Sequence, residues 1–437
     1  MTHEIKNPFC DRESMGEFHP SLTASTVLKI TTQAKELFEQ AKQRNESTSH
    51  ASFYFNPQTQ LLLSNREAAT DFSQLRDNSP MMQIDAFTVG RSEGVGSHTM
   101  LTAMSPTSTG FVGGYFVPSY DEPNNQIRGI FKPIFIEQSF AAAQAHYQII
   151  RTKLNETQIR LLAADAQFAP LITPLISEAP FNTLSPWIAT HNTPEDLQQF
   201  LKNITSPEML EDYYKKYGGM CTVLTWLLGD RIQNAFSHMT VNVVRFPSFD
   251  PPHPDAHSGL LIKDHNYLYF ADPGMTLPSV LPVPNASDIP MFQTNYPQKN
   301  IYLIPNTTSS EMPCDIVIAQ NKNFMYMNTQ STINFDRFKE ETPAQLPFVC
   351  SEVSRPRIVY FDSSGRSTLV VGFDPESTSL IFKLGTSVVA FIKSLASTED
   401  TIIQTALESL PPEYRPLVTE ETYKLVDMLR HKINLGG

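Results

Sequence analysis

Apolar positions at three- and four-residue intervals predict a first helix over Thr26–Gln43, with Leu28, Ala34, Leu37, Phe38 and Ala41 on its apolar side. Short extended runs follow. Ser52–Asn56 and Gln60–Leu63 flank a Pro-Gln-Thr turn and read as a hairpin, and Met81–Val89, Met100–Met104, Gly110–Val117 and Gln126–Phe135 read as further strands. A long helical pattern then runs from about Glu137 to Asp165, carrying Ala141, Ala143, Tyr147, Ile150, Leu154, Ile159 and Leu162. Pro194–Ile204 and Pro207–Tyr217 suit short helices, each opened by a proline that the first turn tolerates. From Met239 to about Val371 the pattern is strand-rich, and Ser387–Leu395, Ser397–Leu410 and Thr419–Asn434 return to helical spacing.

At 437 residues the chain is long for one domain, and its 41% hydrophobic content supports a sizeable packed core. The charged fraction is 18% and the formal net charge −12, with no long basic run, which argues against nucleic-acid binding. No run approaches the 18 or so apolar residues of a membrane span, so none is expected. Met1–Cys10 lacks the basic and apolar regions of an export signal. Four scattered cysteines do not make a disulfide framework, and free thiols in a reducing, cytoplasmic compartment are expected. The acidic, Asn- and Ser-rich composition would also suit a bacterial protein acting in a host cell, with no motif behind that reading.

The densest chemistry lies between Gly218 and Thr276. Gly218-Gly219-Met220-Cys221 precedes Thr222–Phe236, whose Leu224, Leu228, Ile232 and Ala235 repeat at helical spacing, so Cys221 is placed at a helix start. Unpaired N–H groups and the positive end of the helix dipole there favour a thiolate and can stabilise an oxyanion. His257 and Asp272 flank an apolar hairpin. With its turn centred between Asp264 and His265, these two residues face each other across the strands, and the aspartate can orient the imidazole. A buried cysteine and a surface His–Asp pair are the bland readings of these residues taken singly. Their joint occurrence provides a nucleophile, a base and the group that orients the base. His253, Asp255 and His257 could be read as metal ligands, but Pro254 blocks a helical pair and no further cluster accompanies them, so no metal is expected. His238 and His265 are expected on loops or the surface, and Trp226 in the core.

Tyr217-Gly218-Gly219-Met220-Cys221, His257-Ser258-Gly259-Leu260-Leu261 and Asp272-Pro273-Gly274 together resemble the arylamine N-acetyltransferases, a family with a Cys-His-Asp triad of transglutaminase-like geometry. The family's motif at the nucleophile is Arg-Gly-Gly-aromatic-Cys, and its aspartate opens an Asp-x-Gly turn. Ala179–Leu184 looks like its Pro-Phe-Glu-Asn-Leu segment, and 342–348 and 365–372 look like later barrel strands. The resemblance covers about Ile150 to Asn434. Tyr217 and Asn182 replace the family's Arg and Glu, consistent with one lost ion pair, while Met220 replaces an aromatic and Thr276 a second turn glycine.

The resemblance implies an α+β fold. A helical segment carrying the nucleophile (150–236) is followed by an antiparallel β-barrel (237–335) and an α/β C-terminal lid (336–434), with an extra mixed α/β N-terminal domain (1–149). It further implies Cys221, His257 and Asp272 as catalytic residues, Gly274, Met275 and Thr276 against the acyl donor, and Phe181, Gly219 and Met220 against the substrate. The donor would be acetyl-CoA or another acyl-CoA, the acceptor a small amine or hydrazine, or a protein amine, and the route ping-pong through an acyl-thioester. The alternatives are a papain- or transglutaminase-like enzyme acting on protein amides, which the same triad would serve, and a catalytically silent interaction module.

Overall fold

The computed structural model describes residues 21–65, 81–90, 97–121, 126–202, 206–249, 252–265, 267–275, 280–283, 293–295, 299–305, 314–320, 323–327, 331–351, 353–362 and 367–436. In chain order the elements are β1 (Ser21–Leu22), α1 (Ala24–Gln43), β2 (Thr48–Asn56), β3 (Leu61–Asn65), β4 (Met82–Gly90), β5 (Ser97–Thr107), β6 (Gly110–Asp121), β7 (Gln126–Glu137) and α2 (Phe140–Ser177). Then come β8 (Phe181–Asn182), α3 (Leu184–His191), α4 (Pro194–Lys202), α5 (Pro207–Tyr217), α6 (Cys221–Ala235), β9 (Thr240–Phe249), β10 (Pro252–Asp264) and β11 (Tyr267–Ala271). The remainder comprises β12 (Leu281–Pro282), β13 (Gln293–Asn295), β14 (Lys299–Pro305), β15 (Cys314–Gln320), β16 (Asn323–Met327), β17 (Ser331–Asn334), α7 (Phe335–Ser351), β18 (Arg357–Phe361), β19 (Ser367–Asp374), β20 (Ser379–Leu384), β21 (Ser387–Ile392), α8 (Asp400–Glu408) and α9 (Arg415–Gly436).

Two compact units divide the chain, one of residues 1–166 and 281–328, the other of 167–280 and 329–437. The sequence boundaries were contiguous; this division is not, because β13 pairs with β5 and draws the 281–328 segment into the first unit.

The first unit is built on an antiparallel sheet in which β7, β6, β5, β13, β14, β15 and β16 lie side by side, with β4 and then β2 continuing from β5. Strand alternation gives β4 two different faces. Ile84 and Ala86 pack with Val27, Ile30 and Ala34 of α1, whereas Phe87 and Val89 pack with Tyr147, Ile150 and Leu154 of α2. Thr23 Oγ1 caps α1 by accepting from Thr26 N at 3.2 Å. The hairpin expected near residues 52–63 is present, with Tyr54 facing Leu63.

The second unit holds two antiparallel sheets, one containing β11, β10, β9 and β17 in that order and the other running β21, β20, β19, β18, β8. Among the described residues no sheet closes on itself, and the strands of the barrel expected over 237–335 fall into two open sheets, β9–β11 and β17 in one and β13–β16 in the other. Leu184, Trp187 and Ile188 of α3 meet Leu369, Val371 and Phe373 of β19, with Ile403 and Leu407 of α8 and Leu425 and Val426 of α9 completing that core.

Three segments differ from the sequence expectation. Residues 342–348, taken as barrel strand, lie in α7, where Phe335, Phe338 and Thr342 are buried at helical spacing and the Phe335 ring sits where Gly229 of α6 leaves room. Ser387–Leu395, taken as helix, opens as β21; its Val-Val-Ala-Phe run suits an edge strand paired with β20. The long helix continues past Asp165 to Ser177 through Pro170 and Pro174, its buried Phe168, Ile172, Leu175 and Ile176 holding it in place. That helix of 38 residues also contains a window of mean hydropathy 1.3, long and apolar enough to cross a membrane by length and composition. No uninterrupted apolar run marks it, because its apolar residues are interleaved with polar ones.

Candidate functional site

Cys221 is the first residue of α6, and the segment leading into it is fixed on the backbone. Gly218, at φ +79°, lies in the left-handed region, and a β-carbon there would fall 1.9 Å from Pro180 O, so only glycine fits. Gly219 N donates to Pro180 O at 3.1 Å, and Asn182 N donates to Gly219 O at 3.1 Å. The Asn182 side chain adds to this tie: Nδ2 donates to Tyr217 O and to Ser185 Oγ, each at 2.6 Å, while Oδ1 accepts from Leu184 N and Ser185 N. Neutral hydrogen bonds from Asn182 thus hold the turn before the thiol.

His257 lies on β10 opposite Phe246 of β9. The sequence reading placed it opposite Asp272, and that register is corrected by two residues. Asp264 faces Tyr267 and Leu260 faces Ala271, with His265 in the connecting turn at φ +50°. Asp272 therefore lies just beyond the end of β11 and reaches the imidazole from the following turn. Its Oδ2 accepts from His257 Nε2 at 2.7 Å and its Oδ1 from Met275 N at 2.9 Å. Both Asp272 oxygens are thus engaged, and its side chain is 1% exposed. The His257 ring is also hydrogen-bonded to the thiol of Cys221.

Burial alone would push the Cys221 thiol up, but the bond to His257 and the charge on that ring outweigh it and hold the thiol below its usual range. Burial would push His257 down. The carboxylate charge and hydrogen bond of Asp272 outweigh that, raising it to about 10. Both shifts move the pair toward a thiolate beside an imidazolium. Cys350, also buried, has no such partner and burial pushes its thiol far up. Its Sγ lies 3.5 Å from Met220 Sδ, behind the nucleophile.

Of the residues expected against the acyl donor, Gly274 is in direct contact with the pair. A β-carbon there would lie 2.6 Å from Cys221 Cβ and 3.2 Å from His257 Cε1. Met275 supplies the N–H that holds Asp272. Thr276 lies outside the described residues. Among those expected against the substrate, Phe181 bridges to Gly219 and has the Arg357 guanidinium 5.8 Å over its ring, while Met220 is buried against Cys350. Gly219 spends both backbone groups on the Pro180–Asn182 tie, so its N–H is not available to a bound group, whereas the first N–H groups of α6 have no partner within the helix.

Thr225 and Ser258 were missed. Thr225 Oγ1 donates to Ser258 O at 3.0 Å and accepts from Ser258 Oγ at 3.2 Å, stitching α6 to β10 beside the thiol and the imidazole. The available signal was a polar side chain one helical turn after Cys221 on an otherwise apolar face. Trp226 is core, 3% exposed, as expected.

No family model matches the chain, and no curated protein matches it. Among solved structures it is similar to the arylamine N-acetyltransferase of Salmonella typhimurium, at 12% identity and a TM-score of 0.40, covering 61% of this chain and 93% of that one. It is also similar to an arylamine N-acetyltransferase from Bacillus cereus that has a Cys-His-Glu triad, at 12% identity and TM-score 0.37, covering 56% of this chain and 89% of that one. A third, from Nocardia farcinica, has 15% identity and TM-score 0.36, with 60% and 88% covered.

Proposed function

We propose that this chain is a thiol acyltransferase that moves an acetyl or other acyl group from acyl-CoA to an amine or hydrazine. The observation that carries this reading is the buried line of hydrogen bonds from Cys221 through His257 to Asp272, with the thiol at a helix N-terminus. Cys221 sulfur attacks the donor's acyl carbon, and the oxyanion faces the N–H groups that open α6. The carbon–sulfur bond to CoA breaks as the His257 imidazolium passes its proton to the departing thiolate. An amine then attacks the acyl-Cys221 thioester, His257 takes the amine proton, and the Cys221 thiolate is released. Asp272 holds the ring in one tautomer and stabilises its charge throughout. Gly274 and Met275, turning directly past the thiol, would line the donor's path, and a reducing, cytoplasmic setting would keep the thiol free.

Intact-mass spectrometry after incubation with a panel of acyl-CoAs tests this. One acyl group on the wild type and none on Cys221→Ser is the expected result. A wild type that takes no acyl group from any donor, but deamidates or cleaves protein amides without CoA, replaces this reading with the amide-processing one.

A further inference from the structure

Away from the triad, two turns of the second unit bring three metal-ligating side chains together. His238 lies in the turn between α6 and β9; Asp264 ends β10 and His265 begins the β10–β11 turn. Pairing of Thr240 with Lys263 sets these turns side by side. His238 Nε2 lies 3.4 Å from Asp264 Oδ1 and His265 Nε2 lies 3.7 Å from the same oxygen, and the three ligand atoms fall within 4.8 Å of one another.

We propose that His238, Asp264 and His265 form a binding site for a divalent transition-metal ion of the zinc type. Neither ring makes a hydrogen bond to Asp264 at these separations. A tetrahedral ion with bonds of about 2.0–2.2 Å holds its ligand atoms about 3.3–3.5 Å apart, close to the spacing seen. Asp264 Oδ1 is buried and has no hydrogen-bond partner among the described residues, a costly state for a carboxylate oxygen that a cation relieves. His265 sits at φ +50°, a strained conformation for a residue with a β-carbon, and that conformation turns its ring toward Asp264. The two imidazoles are 5.5 Å apart and 24° from parallel, with the Phe236 ring behind His238. His238 is half exposed and His265 79% exposed, which leaves room for water as a further ligand. Two imidazoles and one carboxylate suit Zn²⁺ and Co²⁺ better than Mg²⁺ or Ca²⁺. The sequence reading expected no metal and left both histidines as surface residues; the shared, unpartnered oxygen is what changes this.

An ion here would tie the C-terminal end of α6, which carries Cys221 at its other end, to the β10 strand that carries His257. The test uses the full chain in a Cys221→Ser background, so that the reactive thiol does not compete for metal. Titration with Co²⁺ is expected to give visible bands of a four- or five-coordinate ion at one equivalent, displaced by Zn²⁺. The His238→Gln/His265→Asn variant is expected to bind at least ~10-fold more weakly, the asparagine keeping the left-handed turn. Asp264→Asn, which preserves shape and removes charge, is expected to lose the bands as well. Unchanged Co²⁺ bands in the double variant, or no binding by the parent at ~1 mM, would overturn the proposal. Acyl transfer plays no part in the readout, so this result is independent of the triad's function.

Discussion

Each unit contains a buried aspartate bonded to a histidine, and the two arrangements differ in order rather than in composition. In the first unit Asp85, 0% exposed, accepts from His50 Nε2 at 2.9 Å, from Ser52 Oγ at 2.6 Å, from Gln83 Nε2 and from Tyr147 Oη, which also bonds Thr102. Serine and histidine there converge on the same carboxylate. In the second unit the imidazole stands between carboxylate and thiol. The Ser52 hydroxyl bonds the carboxylate directly, with no imidazole between them. The Asp85 cluster therefore locks α2 and the sheet together, whereas Asp272, His257 and Cys221 stand in a line. The same residue types give a fastener in one unit and, on the proposed function, a catalyst in the other, according to which one sits in the middle.

The comparison breaks most sharply at the middle residue. His257→Gln should slow acyl labelling of Cys221 by ~10²–10⁴-fold, measured by stopped-time mass spectrometry. In the same variant the pH profile of Cys221 alkylation should move up toward that of an ordinary thiol, because the charge that favours the thiolate is gone. For the wild type, the raised His257 contributes stability that is full below pH 6.5 and lost as pH rises toward about 10, which thermal unfolding across that window would register.

Gly274→Ala should cost ~10²-fold in labelling rate together with about 1–3 kcal/mol of stability, since its methyl would press on Cys221 Cβ and Cα and part the thiol from its base. Asp85→Asn should cost stability alone. It leaves several donors facing an amide, so a loss of about 2–4 kcal/mol in urea unfolding is expected, with the labelling rate unmoved. Although burial acts to raise it, Asp85 is held below the usual carboxylate range by His50, Ser52 and Tyr147. Its contribution is present above that range and fades as pH falls through it, so the variant should also flatten the acid limb of the stability curve. Ser52→Ala gives the smallest effect, about 1 kcal/mol of stability and no change in chemistry. A first-unit variant that abolished labelling while the chain stayed folded would erase the distinction.

The sequence made the second-unit chemistry legible and left the Asp85 cluster unread. Cys221 announces itself through Gly218-Gly219 and the helical stripe that follows, both local signals. The pairing of His257 with Asp272 was inferred from an opposed register that the hairpin does not adopt. The residues nevertheless meet, because the Asp272–Met275 turn folds the carboxylate back by the distance the register falls short. The contacts of Gly274 with Cys221 and His257 join three elements, and no local pattern encodes such a junction. Asp85 was invisible for a related reason: its partners lie on β2, β4 and α2, between 2 and 62 positions away. Val388, Val389, Phe391 and Ile392 satisfy helix and strand spacing alike, and only pairing with β20 decides between them.

Asn182 carries a consequence for how the protein meets its surroundings. The turn before the nucleophile is held by four hydrogen bonds of one uncharged side chain, and no charged pair takes part in them. Exposed ion pairs weaken as salt screens them, over about 10 Å at 0.1 M. Neutral, buried bonds of this kind do not, so the posture of Cys221 should be indifferent to brine.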